Sequence, residues 1–415
     1  MKDNTIDELI LTAVFSPQAN IQKEARSIIY QKAREHGIFP SSLHQLYRAF
    51  GKGEISGFTV PAFNIRTLTY DTACALFTLA KEKNVGVFIF EIARSEIGYT
   101  DQSPEEYTTS VLAGALKAGW NGPVFLQGDH YQFKALGYRD NPEAEIQKIK
   151  DLIRESVDAH FYNIDIDAST LVDLSQKSFD DQQRENYRMT SLLTEYIRSI
   201  QPKDITISIG GEIGHIGGIN STVQDFEAFM DGYQRLMGEK NHEEISKVSV
   251  QTGTSHGGIP LPDGTIADVK IDFKVLKDIG DVARNSYGLG GAVQHGASTL
   301  PSDLFGEFPT AGTLEIHLAT GFQNIVFEHI PSKLRKDMYE WVRKNTHDEW
   351  KDSLTEEQNI YKMRKKALGP FKKQLWILSH HEKNPILRAL LGQFQFLFDT
   401  LKVSNTRENT NKYAQ

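Results

Sequence analysis

The 415-residue sequence holds a single cysteine, Cys74. An internal disulfide is therefore excluded, and a lone thiol fits a reducing compartment. Cys74 falls in a helical pattern, where a small buried hydrophobe is the ordinary role. No apolar run is long enough to span a bilayer. The opening MKDNTIDELI is not expected to be a signal peptide. Basic runs are also missing: 46 Lys and Arg stand against 54 Asp and Glu, a net charge of −8 that disfavours nucleic acid as a partner. These absences leave a cytoplasmic, globular protein with neither a nucleic-acid nor a membrane partner as the expectation.

Three apolar, β-branched stretches each end in a histidine: 122–130 (GPVFLQGDH), 247–256 (KVSVQTGTSH) and 290–295 (GGAVQH). A single strand ending in histidine signals little, because a hydrogen-bonded core histidine does the same. Three of them, each ahead of a helical pattern, have more force. In a parallel α/β fold the C-terminal strand ends share one face, where sites are built. Three imidazoles converging there have the inventory of a catalytic zinc site with one position open.

The remaining chain supplies the context. Strand-like runs at 57–65, 85–93, 122–130, 159–169, 205–218, 247–256, 290–296 and 313–323 alternate with helical segments. Eight strand–helix alternations over roughly 270 residues predict a TIM (β/α)8 barrel. A doubly wound sheet would want a glycine fingerprint after its first strand, and VPAFNIRTL has none. The predicted organisation is a helical N-terminal extension over 1–50, a barrel over 51–330 and a helical C-terminal extension over 331–415. In the first, Pro40-Ser41-Ser42 is read as opening a third helix. The apolar segment 385–402 is a helix buried on its own domain or a subunit interface, and the polar tail 404–415 is expected to be disordered.

Further groups fall at strand ends. Asp129 precedes His130; Glu212 lies where the fifth strand meets a glycine-rich loop; Asp165 and Asp167 share a face of the fourth. Asp129 and His130, as neighbours, point to opposite faces unless the backbone bends. Bare amides after His256 and around His295 suit phosphate. With VPAFN (60–64), QGDH (127–130), IDAS (166–169), GEIGHIGG (211–218), GTSHGG (253–258) and HGAS (295–298) in this order, the chain resembles the zinc-dependent class II ketose-bisphosphate aldolases from about Pro40 to Gln323. The resemblance implies one zinc ion on His130, His256 and His295, with Glu212 as a nearby or alternative ligand. It implies that Asp129 handles the proton of the hydroxyl that becomes the aldehyde. Gly257, Gly296, Ser298 and Thr320 would hold a phosphate of the substrate, with Asn64 close by. Asp167 would order the site or hold a second divalent or a monovalent cation. The implied substrate is a sugar phosphate such as fructose 1,6-bisphosphate or tagatose 1,6-bisphosphate, and the implied assembly a homo-oligomer, dimer or tetramer.

Three positions depart from the family pattern. The loop after Gly-Gly usually carries a glutamate that shuttles a proton, and Asn220 stands there. The last strand usually carries an asparagine gripping the ketone half, and His317 stands there. The second strand's usual serine is Ala93. Asp225, His215 or a water are the other candidates for the missing proton transfer. A Schiff-base aldolase would need a lysine at a C-terminal strand end, and Lys247 starts its strand instead. A non-catalytic, aldolase-like subunit is the reading from a different class.

Overall fold

A computed structural model describes residues 4–214, 219–238, 243–253 and 271–414. Among them nine strands form one parallel sheet: β1 (Ile38–Ser41), β2 (Val60–Asn64), β3 (Ile89–Ala93), β4 (Gly122–Gln132), β5 (Asn163–Asp167), β6 (Ser208–Glu212), β7 (Lys247–Val250), β8 (Ala292–Gln294) and β9 (Glu315–Leu318). Strands β2 to β9 pair in chain order and β9 returns to β2, closing an eight-stranded barrel surrounded by helices. The expected TIM fold is the observed one.

Side chains alternate across each strand. Phe90 and Ile92, Leu126, Ile164 and Ile166, Val248 and Val250, and Ile316 and Leu318 fall on one face and are buried. Fully burying each such side chain stabilises the fold by about 1.5–3 kcal/mol. The alternate positions, Glu91, Gln127, Asp165, Lys247 and Glu315, are buried as well and hydrogen-bond to one another across the barrel. Branched aliphatics usually dominate such an interior; here the lower half is a charged network.

Two expectations about the extensions need correction. Residues 38–41 are not helical. They form β1, which pairs with the start of β4 from Ile38–Gly122 to Ser41–Phe125, and the third helix begins only at His44. Pro40 tolerates this place because Pro fits an edge strand. The helix His44–Gly51 then lies under the barrel, with the Tyr47 hydroxyl donating to Glu315. The tail is not disordered within 404–414. It holds the helix Arg407–Asn411 and docks on the loop before β3. Asn405 and Arg407 donate backbone bonds to Lys83 and Asn84 carbonyls, and Thr406 Oγ1 accepts from Gly86 N at 3.1 Å. Backbone groups make this contact, so polar composition did not reveal it.

The helix His380–Thr400 covers its own barrel. Phe394 meets Phe63 and Phe322 with ring centroids 5.1 Å apart in both cases, and Phe398 meets Phe63 at 5.8 Å. Only short helical turns between Ala297 and Thr310 follow β8, and this late helix completes the outer layer.

Candidate active site

Lys247 anchors the floor of the site. Its Nζ donates to Gln127 Oε1 at 2.8 Å, Asp165 Oδ2 at 3.0 Å and Glu315 Oε1 at 2.6 Å. Burial opposes charge on Glu315, but Lys247 and His317 outweigh it and hold the carboxyl well below the ordinary range. Asp165 shares the same lysine less effectively, and burial pushes it up to about 6. This arrangement agrees with the reading that Lys247 is no Schiff-base nucleophile: it is spent on three partners below the mouth.

Above the floor, β4 delivers two functional side chains in succession. The β4–β5 register shifts between Gly128 and Tyr131, and His130 adopts φ +44°. A β-bulge inserts one extra residue and re-aims its neighbours, so Asp129 and His130 both face the interior. The left-handed conformation costs roughly 1–2 kcal/mol for a side-chain-bearing residue. Gly128 permits the bend, because a Cβ there would stand 2.4 Å from the Tyr131 ring.

His130 is oriented from behind. Its Nδ1 lies 3.1 Å from both Asp167 Oδ2 and Glu212 Oε2. Asp167 also accepts from Ser169 N, Ser169 Oγ and Gln132 Nε2. Although burial opposes it, these donors keep Asp167 ionised below the usual carboxylate range. Burial, with Asp167 adjacent, pushes Glu212 up to about 7. On the other edge of the ring, Nε2 is 3.9 Å from Asp129 Oδ1. His295, just past β8, points Nδ1 at that same oxygen, also 3.9 Å away, while its Nε2 meets Ser249 Oγ at 2.8 Å. The rings of His130 and His295 are 4.2 Å apart.

These donors fit a divalent cation. Asp129, His130 and His295 offer ligand atoms that all lie within 4.8 Å of one another. Ligands on a tetrahedral zinc at bond lengths of about 2.0–2.1 Å sit roughly 3.3 Å apart, so a small contraction suffices. The contacts of Nδ1 of His130 and Nε2 of His295 are the outer partners that metal-binding imidazoles need. Glu212 groups instead with Asp167 on the far side of His130. His256 and Gly257 lie outside the described residues, as does His215.

His317 occupies the centre. Its ring stacks on His295 at 4.0 Å, Nδ1 lies 2.9 Å from Glu91 and 3.3 Å from Asp129, and Nε2 lies 2.7 Å from Glu315. Burial would lower its pKa; the surrounding carboxylates, Glu91 and Asp129 first, raise it well above the ordinary imidazole value. Burial, with Asp129 beside it, pushes Glu91 up to about 7.

One cavity of about 1060 Å³ opens onto these groups and is lined by Asn64, Asp129, His130, His295, Gly296, Ser298, His317 and Thr320, among others. Gly296 has φ +73°. Ser298 Oγ accepts from Ala319 N at 2.5 Å, and Thr320, which lines the cavity, opens the helix Thr320–His329. A helix N-terminus favours an anion. Asn64 is committed to the wall: its amide donates to Glu96 at 2.6 Å and accepts from Arg66 at 3.1 Å. Asn220 and Asp225 line a separate cavity, and Asp225 caps the helix Val223–Met237 through Thr222. Of the groups considered for the missing proton transfer, Asp225 lines that second cavity.

Sequence reasoning missed Glu91 and Glu315 in this site, and it set Lys247 aside. The signal was the period-two recurrence of polar residues inside otherwise apolar strands, as in FEIA and LEIH.

The sequence model for "Fructose-bisphosphate aldolase class-II" matches residues 44–367. Among curated proteins, none matches the chain. Among solved structures, fructose-bisphosphate aldolase from Campylobacter jejuni is 17% identical, covers 89% of this chain and 97% of its own, and has a TM-score of 0.51. A "probable tagatose 6 phosphate kinase" from Sinorhizobium meliloti is 12% identical over 86% of this chain and 100% of its own, with a TM-score of 0.56. The fructuronate-tagaturonate epimerase of Cohnella laeviribosi is 11% identical over 94% and 86%, also at 0.56. At these identities the structural likenesses establish the fold alone.

Proposed function

The chain belongs to the class-II fructose-bisphosphate aldolase family, and from that premise we propose that it is a zinc-dependent lyase cleaving fructose 1,6-bisphosphate reversibly to dihydroxyacetone phosphate and glyceraldehyde 3-phosphate. The observation that carries the reading is the convergence of His130, His295 and Asp129 at the ends of β4 and β8 on one cavity. His130, His295 and His256 would hold the metal, which as a Lewis acid supplies stabilisation of the enediolate left when the carbon–carbon bond breaks. Asp129 takes the proton from the hydroxyl that becomes the aldehyde. The bond's electron pair stays with the carbon beside the ketone, which must later be reprotonated. Asp167 and Glu212 keep the His130 ring in place, and Ser249 keeps that of His295. Gly296, Ser298 and Thr320 hold the phosphate of the ketone half, with Gly257 joining them.

The test is release of triose phosphate from fructose 1,6-bisphosphate by the zinc-loaded protein, with tagatose 1,6-bisphosphate as comparator. Hydrogen exchange on dihydroxyacetone phosphate reads the ketone half-reaction without the aldehyde. Binding of dihydroxyacetone phosphate with neither exchange nor cleavage would refute the enzyme and leave an aldolase-like binding subunit.

A further inference from the structure

Glu91 and His317 lie beside the zinc position but take no part in it. Glu91 alternates with Phe90 and Ile92 in β3, and His317 with Ile316 and Leu318 in β9, so the pleat turns both toward the barrel axis. With Asp129 they offer one ligand atom each, all within 4.8 Å of one another. Asp129 is common to this group and to the group of His130 and His295.

Two buried atoms of the new group are left over. Glu91 Oε2 accepts from Gln127 Nε2 at 3.3 Å and faces His317 Nδ1 at 2.9 Å, but Glu91 Oε1 has no hydrogen-bond partner among the described residues. His317 Nε2 is held by Glu315 at 2.7 Å, whereas its Nδ1 makes no well-aligned hydrogen bond to the carboxylates beside it. Glu91 is 1% exposed and His317 4%, and both line the cavity. A polar atom so placed ordinarily finds a partner. The ring has the arrangement of a metal-binding imidazole, with its outer nitrogen on a carboxylate and its inner nitrogen open. Charge points the same way. Six buried carboxylates, those of Glu91, Asp129, Asp165, Asp167, Glu212 and Glu315, stand against one buried lysine, Lys247. One divalent ion at His130 and His295 leaves a formal negative excess, which a second would reduce.

We propose that Glu91, His317 and Asp129 form a second divalent-cation site that takes an ion of manganese type. It is separate from the zinc position at His130 and His295 and from the pair Asp167 and Glu212. Two carboxylates, one imidazole and an open cavity for water suit such an ion, whereas a set of imidazoles suits zinc. The site does not depend on the aldolase reading. If that reading holds, a cation here engages Asp129, the base of the reaction, and so acts as a brake.

Titration of the full-length, zinc-loaded protein with Mn2+ tests the site. Bound manganese is counted from the loss of the free-ion signal in electron paramagnetic resonance, and zinc by elemental analysis. Manganese binds such ligands more weakly than zinc, so it leaves the zinc in place. The wild type is expected to take one Mn2+ per chain. Losing an outer partner of a metal ligand costs about 10–100-fold in affinity, so losing a ligand should cost at least about 100-fold. Glu91→Gln and, independently, His317→Asn are expected to weaken manganese that far, with zinc content and circular dichroism unchanged. A wild type that takes no manganese, or manganese kept by both variants, overturns the site. Manganese lost in Asp167→Asn but kept in Glu91→Gln lies beside Glu212 and overturns it too. Triose-phosphate release by the wild type is expected to fall as manganese binds, and a level rate refutes the brake. No release at any metal content refutes the aldolase reading and leaves the manganese count to decide the site.

Discussion

Replacing Lys247 by methionine should destabilise the barrel in a way that grows with pH. The side chain is wholly buried and, among the described residues, is the only lysine or arginine in contact with Asp165 and Glu315. Removing one partner of a buried ion pair costs about 3–5 kcal/mol, because the other charge stays uncompensated. In the wild type the depressed pKa of Glu315 gives stability that is present above the unfolded value and is lost only as pH falls through the folded one. Without Lys247, burial is the largest remaining influence on both acids and raises them. A carboxyl that keeps its proton when folded loses stability as pH rises from the unfolded value, near 4.3, toward the folded one, at about 1.4 kcal/mol per unit. The deficit of Lys247→Met should therefore be about 2 kcal/mol larger at pH 8 than at pH 5. Urea denaturation followed by tryptophan fluorescence at both pH values measures it. Adding Glu315→Gln should recover much of the loss at pH 8. A deficit below about 1 kcal/mol, or one equal at pH 5 and pH 8, would refute the role of Lys247 as counter-charge.

Other outcomes follow from the site. Asp129→Ala should lower kcat by about 10²–10⁴, the usual scale for general acid–base help, while metal analysis still finds the ion; full activity would remove Asp129 from the reaction. His295→Ala and His130→Ala should each abolish stoichiometric zinc binding in equilibrium dialysis with the circular dichroism unchanged, and a variant retaining one zinc per chain would refute that ligand. Asp167→Asn should weaken zinc affinity by about 10–100-fold, the ordinary effect of disturbing an outer partner; an unchanged affinity would mean that Asp167 does not orient His130. Gly128→Ala should cost about 1–3 kcal/mol by overpacking against Tyr131, and Tyr131→Phe should not rescue it, since ring atoms 2.4 and 2.7 Å from the added Cβ remain when the hydroxyl is gone.

Much of this architecture is legible in the sequence. The eight strands were readable because parallel barrel strands are buried on both faces and carry apolar, β-branched runs, as in KVSV and GPVFL. Helices such as Ser103-capped Pro104–Lys117 and the Thr355 capping box carried local signals. The tail was misread because its docking uses backbone donors at Asn405 and Arg407, which composition does not encode. The strand at Ile38–Ser41 was misread because its partner, Gly122–Phe125, lies far along the chain.

By itself the sequence determined the repeating strand–helix pattern, the delivery of His130 and His295 to strand ends, and the aldolase motifs around them. Those are local properties: periodicity and residue type survive in one dimension. Tertiary structure alone decided the rest. Barrel closure brought Glu91, Gln127, Asp165, Lys247 and Glu315 into one buried network. The bulge at His130 turned two neighbouring side chains inward together. Docking of the C-terminal extension placed Lys365 over the cavity formed by strands more than 45 residues earlier in the chain. Such effects depend on distances between residues remote in sequence, and a charge has a fate only once its surroundings, water or another side chain, are known.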